Sequence, residues 1–294
     1  MAKAMVYIQS GGPTSVINTS LYGAIQEAKK HPEISNIYGS LNGIEGLLTD
    51  NLIDLRKEDD EQIELLKQTP GSILGTSRHK LPKDFHDEEY KKILETCKKH
   101  DIGYVFVNGG NDSMDTCHKL SLLCKELGVD IKVMGVPKTV DNDLAETDHS
   151  LGFASAAKYV INTVKEICID AVCYKKGKVY VIEIMGRNAG WLTAAVDLLP
   201  EGIRPDLIYL PENKFDMADF LAKVQDLYNK KATQSSQLVK ELSSKEILLT
   251  LVLIASDICN LEAQALISPR SLKINSIFQS VLSNYRFHNV LIRS

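Results

Sequence analysis

Gly109-Gly110-Asn111-Asp112-Ser113 follows the apolar run Tyr104-Val105-Phe106-Val107 and opens into a helical pattern over residues 114–127. A strand that ends in paired glycines before a helix turns backbone N–H groups toward an anion, and the helix N-terminus adds its dipole. About a strand later, Pro137-Lys138-Thr139-Val140-Asp141-Asn142-Asp143 closes a second apolar run, residues 131–136. A lysine, a threonine hydroxyl and two carboxylates at an adjacent strand end suit phosphoryl transfer with a divalent metal. A single Gly-Gly pair says little. Two strand ends of matched chemistry predict an α/β chain whose ligand groups sit beyond the carboxyl ends of its strands.

The same pattern recurs on either side of this centre. Residues 5–9 read as a buried strand, Ser10-Gly11-Gly12-Pro13-Thr14-Ser15 as a tight loop, and Val16, Ile17, Leu21, Ala24 and Ile25 as one face of a helix. Read alone, these glycines serve turn geometry as readily as anion binding. Residues 36–41 give a second strand, followed by the turn Asn42-Gly43-Ile44-Glu45-Gly46 and a charged helix over 58–67. The loop Thr69-Pro70-Gly71-Ser72-Ile73-Leu74-Gly75-Thr76-Ser77-Arg78 ends in a cation. That guanidinium either reaches a phosphate bidentately or stays a solvated surface group. Residues 85–100 form a polar amphipathic helix. Beyond Asp143, a helix over 152–170 leads to a strand over 179–184 that delivers Met185-Gly186-Arg187-Asn188-Ala189-Gly190-Trp191, the fourth strand end to carry glycine and a polar group. A strand over 207–212 and a helix over 216–228 follow.

The chain has 294 residues, long enough for two α/β domains or one large one. With 34 Lys and Arg against 38 Asp and Glu, its net charge of -4 gives no electrostatic case for nucleic acid or an anionic membrane surface. No apolar run approaches the roughly 20 residues of a membrane span. The N-terminus has no cleavable signal pattern and runs straight into a strand. The cysteines at 97, 117, 124, 168, 173 and 259 show no CxxC pair and no metal-ligand spacing, which fits reduced thiols in a cytoplasmic protein.

Together these motifs resemble the phosphofructokinase family over residues 4–231: the Gly11-Gly12 loop with Asn18, the Arg78 loop, Gly109 to Ser113, Pro137 to Asp143, and Met185 to Arg187, in family order and spacing. The resemblance implies two Rossmann-like three-layer domains, with an incomplete C-terminal part. It places a donor-binding domain at 1–137 and part of a sugar-phosphate domain at 138–231. It implies that Asp141 is the general base for the 1-hydroxyl of fructose 6-phosphate, and that Arg78 neutralises the transferring group. Thr139, Asp141 and the Met185-Gly186-Arg187 turn would hold the sugar phosphate. Gly11, Gly12, Gly110, Ser113 and Lys138 would hold the donor, and Asn111 and Asp143 the Mg2+. Helix or turn capping is the bland alternative for the Asp141/Asp143 pair, outweighed by Lys138 and Thr139 beside them.

Two positions speak to the donor. ATP-using members resemble Gly-Gly-Asp-Gly-Ser and Pro-Gly-Thr where this chain has Asp112 and Lys138. A carboxylate at 112 occupies and repels the space of a nucleotide α-phosphate, while Lys138 suits a short, highly charged pyrophosphate. This implies the pyrophosphate-dependent branch, with Asp112 and Lys138 in the catalytic set. Asn111 departs from the aspartate of many relatives and offers a neutral oxygen ligand. The alternatives are an ATP-dependent 6-phosphofructokinase and a catalytically silent, truncated homologue. A homodimer or homotetramer is the assembly the family implies.

From residue 232 the expected motifs stop. No glycine follows Gly202, where average usage of about 7% would place several. One reading of 232–294 is a divergent helical tail, in which residues 248–255 are apolar enough for burial. The other is a shifted reading frame. A set of codons for Phe-Gly-His-Met-Gln-Leu-Gly-Gly, read one base later, gives Ser-Asp-Ile-Cys-Asn-Leu-Glu-Ala, the residues at 256–263. The same shift turns Ala-Val-Ser-Glu-Gly-Val into Gln-Leu-Val-Lys-Glu-Leu, the residues at 237–242.

Overall fold

The structure, a computed structural model, describes residues 2–171, 173, 178–186, 188–238 and 249–255. The chain divides into two compact units, Met1–Ala156 and Ala157–Ser294. The first unit runs β1 (Lys3–Gln9), α1 (Ile17–Ala28), β2 (Ile34–Ser40), α2 (Glu45–Leu48), β3 (Leu52–Asp54), α3 (Asp60–Leu65), α4 (Glu88–Lys99), β4 (Ile102–Gly109), α5 (Asn111–Glu126) and β5 (Lys132–Pro137). Its sheet has the order β3-β2-β1-β4-β5, parallel throughout except for the antiparallel β3 at the edge.

β1 is central, and its side chains alternate between two cores. Ala4, Val6 and Ile8 pack on one face with Ile93, Cys97, Leu120 and Leu123 from α4 and α5. Met5 and Tyr7 pack on the other with Leu21, Ile25 and Ile63 from α1 and α3. A strand covered on both faces must be apolar at nearly every position, which explains its unbroken run. Burial with little else to stabilise a thiolate pushes the Cys97 thiol up to about 12. Such a thiol stays protonated and packs as a small apolar group.

The chain leaves β1 for β2 on one side and later sets β4 on the other, so the strand order reverses between β1 and β4. Ligand crevices in open parallel sheets form at such a point, beyond the strands' carboxyl ends. The register places Gln9 beside Asn108 and Gly109 beside Pro137, so the glycine loops after β1 and β4 and the lysine after β5 emerge side by side.

The sequence expectation ends the donor-binding domain at 137, whereas the first compact unit runs to Ala156 and takes in residues 138–152. Lys138 N–H donates to Gly109 O at 2.9 Å, and within the segment Thr139 N–H donates to Leu151 O at 3.2 Å and Thr139 bridges Gly152. Gly152, at φ +101, lies so close to the loop after β1 that a Cβ there would stand 2.8 Å from the Thr14 methyl. In the first unit two elements escape the sequence pattern, α2 and β3, at four and three residues too short to show a period.

The second unit contains most of α6 (Phe153–Ala171), whose first turn belongs to the first unit, then β6 (Lys178–Ile184), α7 (Trp191–Ala194), β7 (Leu207–Tyr209), α8 (Met217–Leu238) and β8 (Leu249–Ala255). Its sheet is parallel, in the order β6-β8-β7. Phe220 of α8 is buried against Val181, Leu207 and Tyr209. Residues 249–255 of the apolar stretch form β8, a strand where the divergent-tail reading expects helix, while residues 239–242 and 256–263, on which the shifted-frame reading draws, lie outside the described residues.

Candidate active site

The loop after β1 is built to turn sharply. Gly11 sits at φ +76, where a side chain is strained. Its N–H donates to Ser77 O at 3.2 Å, and its carbonyl accepts from the Thr76 hydroxyl at 2.6 Å. These bonds dock the Arg78 loop against the first glycine turn. Arg78 itself is exposed, and Gly12 faces open space.

A buried amide pair holds that loop from beneath. Gln9 Nε2 donates to Asn18 Oδ1 at 2.9 Å, and both side chains are fully buried. Gln9 Oε1 accepts from the Ser72 hydroxyl at 2.8 Å and Leu74 N–H at 3.1 Å. Asn18 Oδ1 also accepts from Ile73 N–H at 3.0 Å, and its Nδ2 donates to Thr69 O at 2.9 Å. The sequence marks Asn18 only through family resemblance and gives Gln9 no role, since partners more than fifty residues away leave no local signal. Asn18→Ala strands several buried polar groups and is expected to lower unfolding stability by about 2 kcal/mol. Denaturant titration checks this, and a loss below about 0.5 kcal/mol would mean the network is dispensable.

At the second turn, Gly110 is the N-cap of α5 in extended conformation. Ser113 and Met114 both donate back to Gly110 O at 2.9 Å, leaving the Asn111 and Asp112 amides at the helix entrance, ahead of the first intrahelical bond. A Cβ on Gly109 would overlap the Ser113 side chain, so the close approach of the helix to β4 requires glycine there. Asp112 is exposed in the first turn and paired with Lys80.

Lys138 joins the two turns. Its side chain is buried, and Nζ donates to Gly12 O at 2.5 Å. A Cβ built on Gly11 would lie 3.5 Å from Lys138 Nζ and 3.9 Å from the Ser113 hydroxyl, which places glycine turn, ammonium and hydroxyl in one crevice. Burial pushes the Lys138 pKa down, Asp141 pulls it back up, and Arg78 pushes it down again. Asp141 and Arg78 thus both reach this ammonium electrostatically.

The strand end that carries Asp141 is pinned on both sides. Asp141 N–H donates to the Thr139 hydroxyl at 3.2 Å. Asn142 is buried at φ +56, accepts from Ser150 N–H at 2.7 Å and donates to Asp148 O at 3.3 Å. Asparagine tolerates this left-handed backbone better than most residues. Asn111 Nδ2 lies 3.0 Å from Asp143 Oδ2, bringing together two side chains read as metal ligands.

Met185 and Gly186 belong to the second unit, and Arg187 lies outside the described residues. Gly186 is at φ +146 and closes tightly on Ala189 O, while Met185 is exposed. Glu212 accepts from Gly190 N–H at 2.7 Å and so holds the loop that follows β6. The sequence places Glu212 at the end of a strand without assigning it anything. Among the described residues, no helix is long and apolar enough to cross a membrane.

The phosphofructokinase family model matches residues 4–274, beyond residue 231 where the motifs stop being legible. A pyrophosphate–fructose 6-phosphate 1-phosphotransferase from Halomonas elongata is 45% identical over 231 residues, covering 76% of this chain and 55% of the relative. An ATP-dependent 6-phosphofructokinase from Amycolatopsis methanolica stands farther away, at 31% identity, with 71% of this chain and 43% of the relative covered. The crystal structure of a pyrophosphate-dependent phosphofructokinase from Nitrosospira multiformis superposes with a TM-score of 0.74 at 41% identity, over 87% of this chain and 61% of that one. The chain thus spans about half the length of the curated relatives it matches. With two glycine turns at a sheet switch point, the Lys138–Asp143 strand end and a family match over most of its residues, the chain belongs to the phosphofructokinase family.

Proposed function

We propose that the chain carries the phosphoryl-transfer site of a pyrophosphate-dependent enzyme that phosphorylates the 1-hydroxyl of fructose 6-phosphate, giving fructose 1,6-bisphosphate, a step of glycolysis. The observation that carries this reading is the buried Lys138 ammonium between the Gly11-Gly12 turn and Ser113, with Asp112 at the entrance of the neighbouring helix. A short anion of high charge is drawn by the lysine and the helix N-terminus. A nucleotide must pass its α-phosphate by the carboxylate.

In this reading Asp141 takes the proton of the 1-hydroxyl, whose oxygen attacks the terminal phosphorus as the bridging P–O bond breaks and inorganic phosphate leaves. Arg78 and Lys138 balance the charge on the moving group. Thr139, Asp141, Met185, Gly186 and Arg187 are assigned to the sugar phosphate through the family motif. Mg2+ fits the oxygen donors present. Asn111 and Asp143 meet at an exposed position, and among the described residues no group of three His, Cys, Asp or Glu forms an all-protein cage. Mg2+ commonly takes one or two protein ligands and completes its shell with water and phosphate, where it neutralises donor charge.

The test is the coupled rate of fructose 1,6-bisphosphate formation in Mg2+, with pyrophosphate and ATP side by side. Turnover with pyrophosphate alone is expected. Turnover with ATP would overturn the donor assignment, and silence with both would favour the silent homologue. Asp112→Gly with Lys138→Gly is expected to move whatever turnover exists toward ATP. We further propose that residues from 232 onward are translated one base out of the family frame. The DNA sequence decides this: a family-like frame one base away near Ala232 is expected, and its absence ends the idea. Cytoplasmic location and a homodimer or homotetramer complete the reading, the latter checked by sedimentation.

A further inference from the structure

The segment after Arg78 touches the donor helix at a point the reaction itself does not explain. Lys80 Nζ lies 3.2 Å from both Asp112 Oδ1 and Asp112 Oδ2, so the ammonium straddles the carboxylate. One residue on, Leu81 O accepts from Lys119 Nζ at 3.1 Å, fixing the same segment against α5. Both partners of the Lys80–Asp112 pair are largely exposed, at 71% and 79%, so the pair adds little to stability. Its effect must be sought in what the carboxylate does when unpaired.

Asp112 is the second residue of α5, beside the first-turn amides that face the crevice. A carboxylate there is attracted to those amides and to the helix dipole, as a bound phosphate would be. We propose that Lys80 is a positioning residue for donor selection: it holds the Asp112 carboxylate off the α5 N-terminus, leaving those amides to pyrophosphate while the carboxylate still bars a nucleotide. Without Lys80, Asp112 turns inward and competes with the donor as an internal anion. The inference rests on the donor reading above and adds a residue to which neither the motifs nor the family resemblance assigns a role.

The experiment titrates the full chain with magnesium pyrophosphate by calorimetry, in four forms: unmutated, Lys80→Met, Asp112→Ala and the double variant. Lys80→Met is expected to weaken pyrophosphate binding about fivefold when Asp112 is present, and less than about twofold in the Asp112→Ala background, where only a screened surface charge is lost. Lys80→Arg should restore the affinity. Where turnover is measurable, KM for pyrophosphate rises with kcat unchanged. Equal losses in the two backgrounds would make Lys80 a direct phosphate ligand and overturn the positioning role, as would binding indifferent to Lys80→Met. Failure of the unmutated chain to bind pyrophosphate would instead overturn the donor reading and this inference with it.

Discussion

Asp141→Ser is expected to lower kcat roughly 10³-fold, the range in which a positioned general base acts, while leaving the KM for both substrates within a few-fold. The split follows from how the residue is held. Its amide is fixed by the Thr139 hydroxyl, and the next residue is locked by the two Asn142 side-chain bonds to the 148–150 segment. Serine removes the base without releasing that backbone, so the crevice keeps its shape. The substitution also removes the carboxylate that pulls the Lys138 pKa upward, leaving burial and Arg78 to push it down unopposed. Donor binding in Asp141→Ser should therefore fail at lower pH than in the unmutated chain. Steady-state kinetics and pyrophosphate titration across pH check both effects. Activity retained within tenfold would remove Asp141 from the role of base, and an unshifted alkaline limb would uncouple it from Lys138.

What the sequence discloses here is the chemistry of each strand end, and what it conceals is the partner of each group. The apolar runs of β1 and β4 are legible because central parallel strands are buried on both faces. The two glycine turns are legible because only glycine meets their demands: the left-handed backbone of Gly11 and the close packing at Gly109. By contrast, the Lys138 bond to Gly12 joins residues 126 positions apart, and the Gln9–Asn18 pair holds a loop by bonds that cross more than fifty. No periodicity records such contacts. The extent of the first unit is hidden for the same reason, since residues 138–152 return to it through the Lys138 N–H bond to Gly109 O and the fit of Gly152 against Thr14. The sequence leaves Arg78 open between phosphate ligand and surface cation. The structure leaves it exposed and docks its loop on the Gly11 turn, and its charge acts on Lys138.

Lys138→Met is expected to weaken pyrophosphate binding by about 100-fold, the scale of removing one partner from a buried, charge-assisted contact, and yet to leave the fold as stable as before or more so. The two outcomes together identify the lysine as functional. Its charge is desolvated, and the Gly12 carbonyl it bonds lies at an exposed turn where water can replace it, so methionine of similar length relieves a penalty and orphans little. The pH dependence follows from the same depressed pKa. Between the folded pKa and the ordinary lysine value of about 10.4, the unfolded chain holds a proton that the folded chain has lost. This group's contribution to stability therefore rises with pH across that window, while below it the charge is present in both states and its burial opposes folding in full. Binding runs the other way, because pyrophosphate needs the ammonium: affinity should fall as pH climbs through the folded pKa, at lower pH than an exposed lysine would dictate. Calorimetry across pH, paired with thermal unfolding of both forms, separates these trends. A structural lysine would give a clear drop in melting temperature on substitution and no alkaline loss of binding beyond that of the methionine variant.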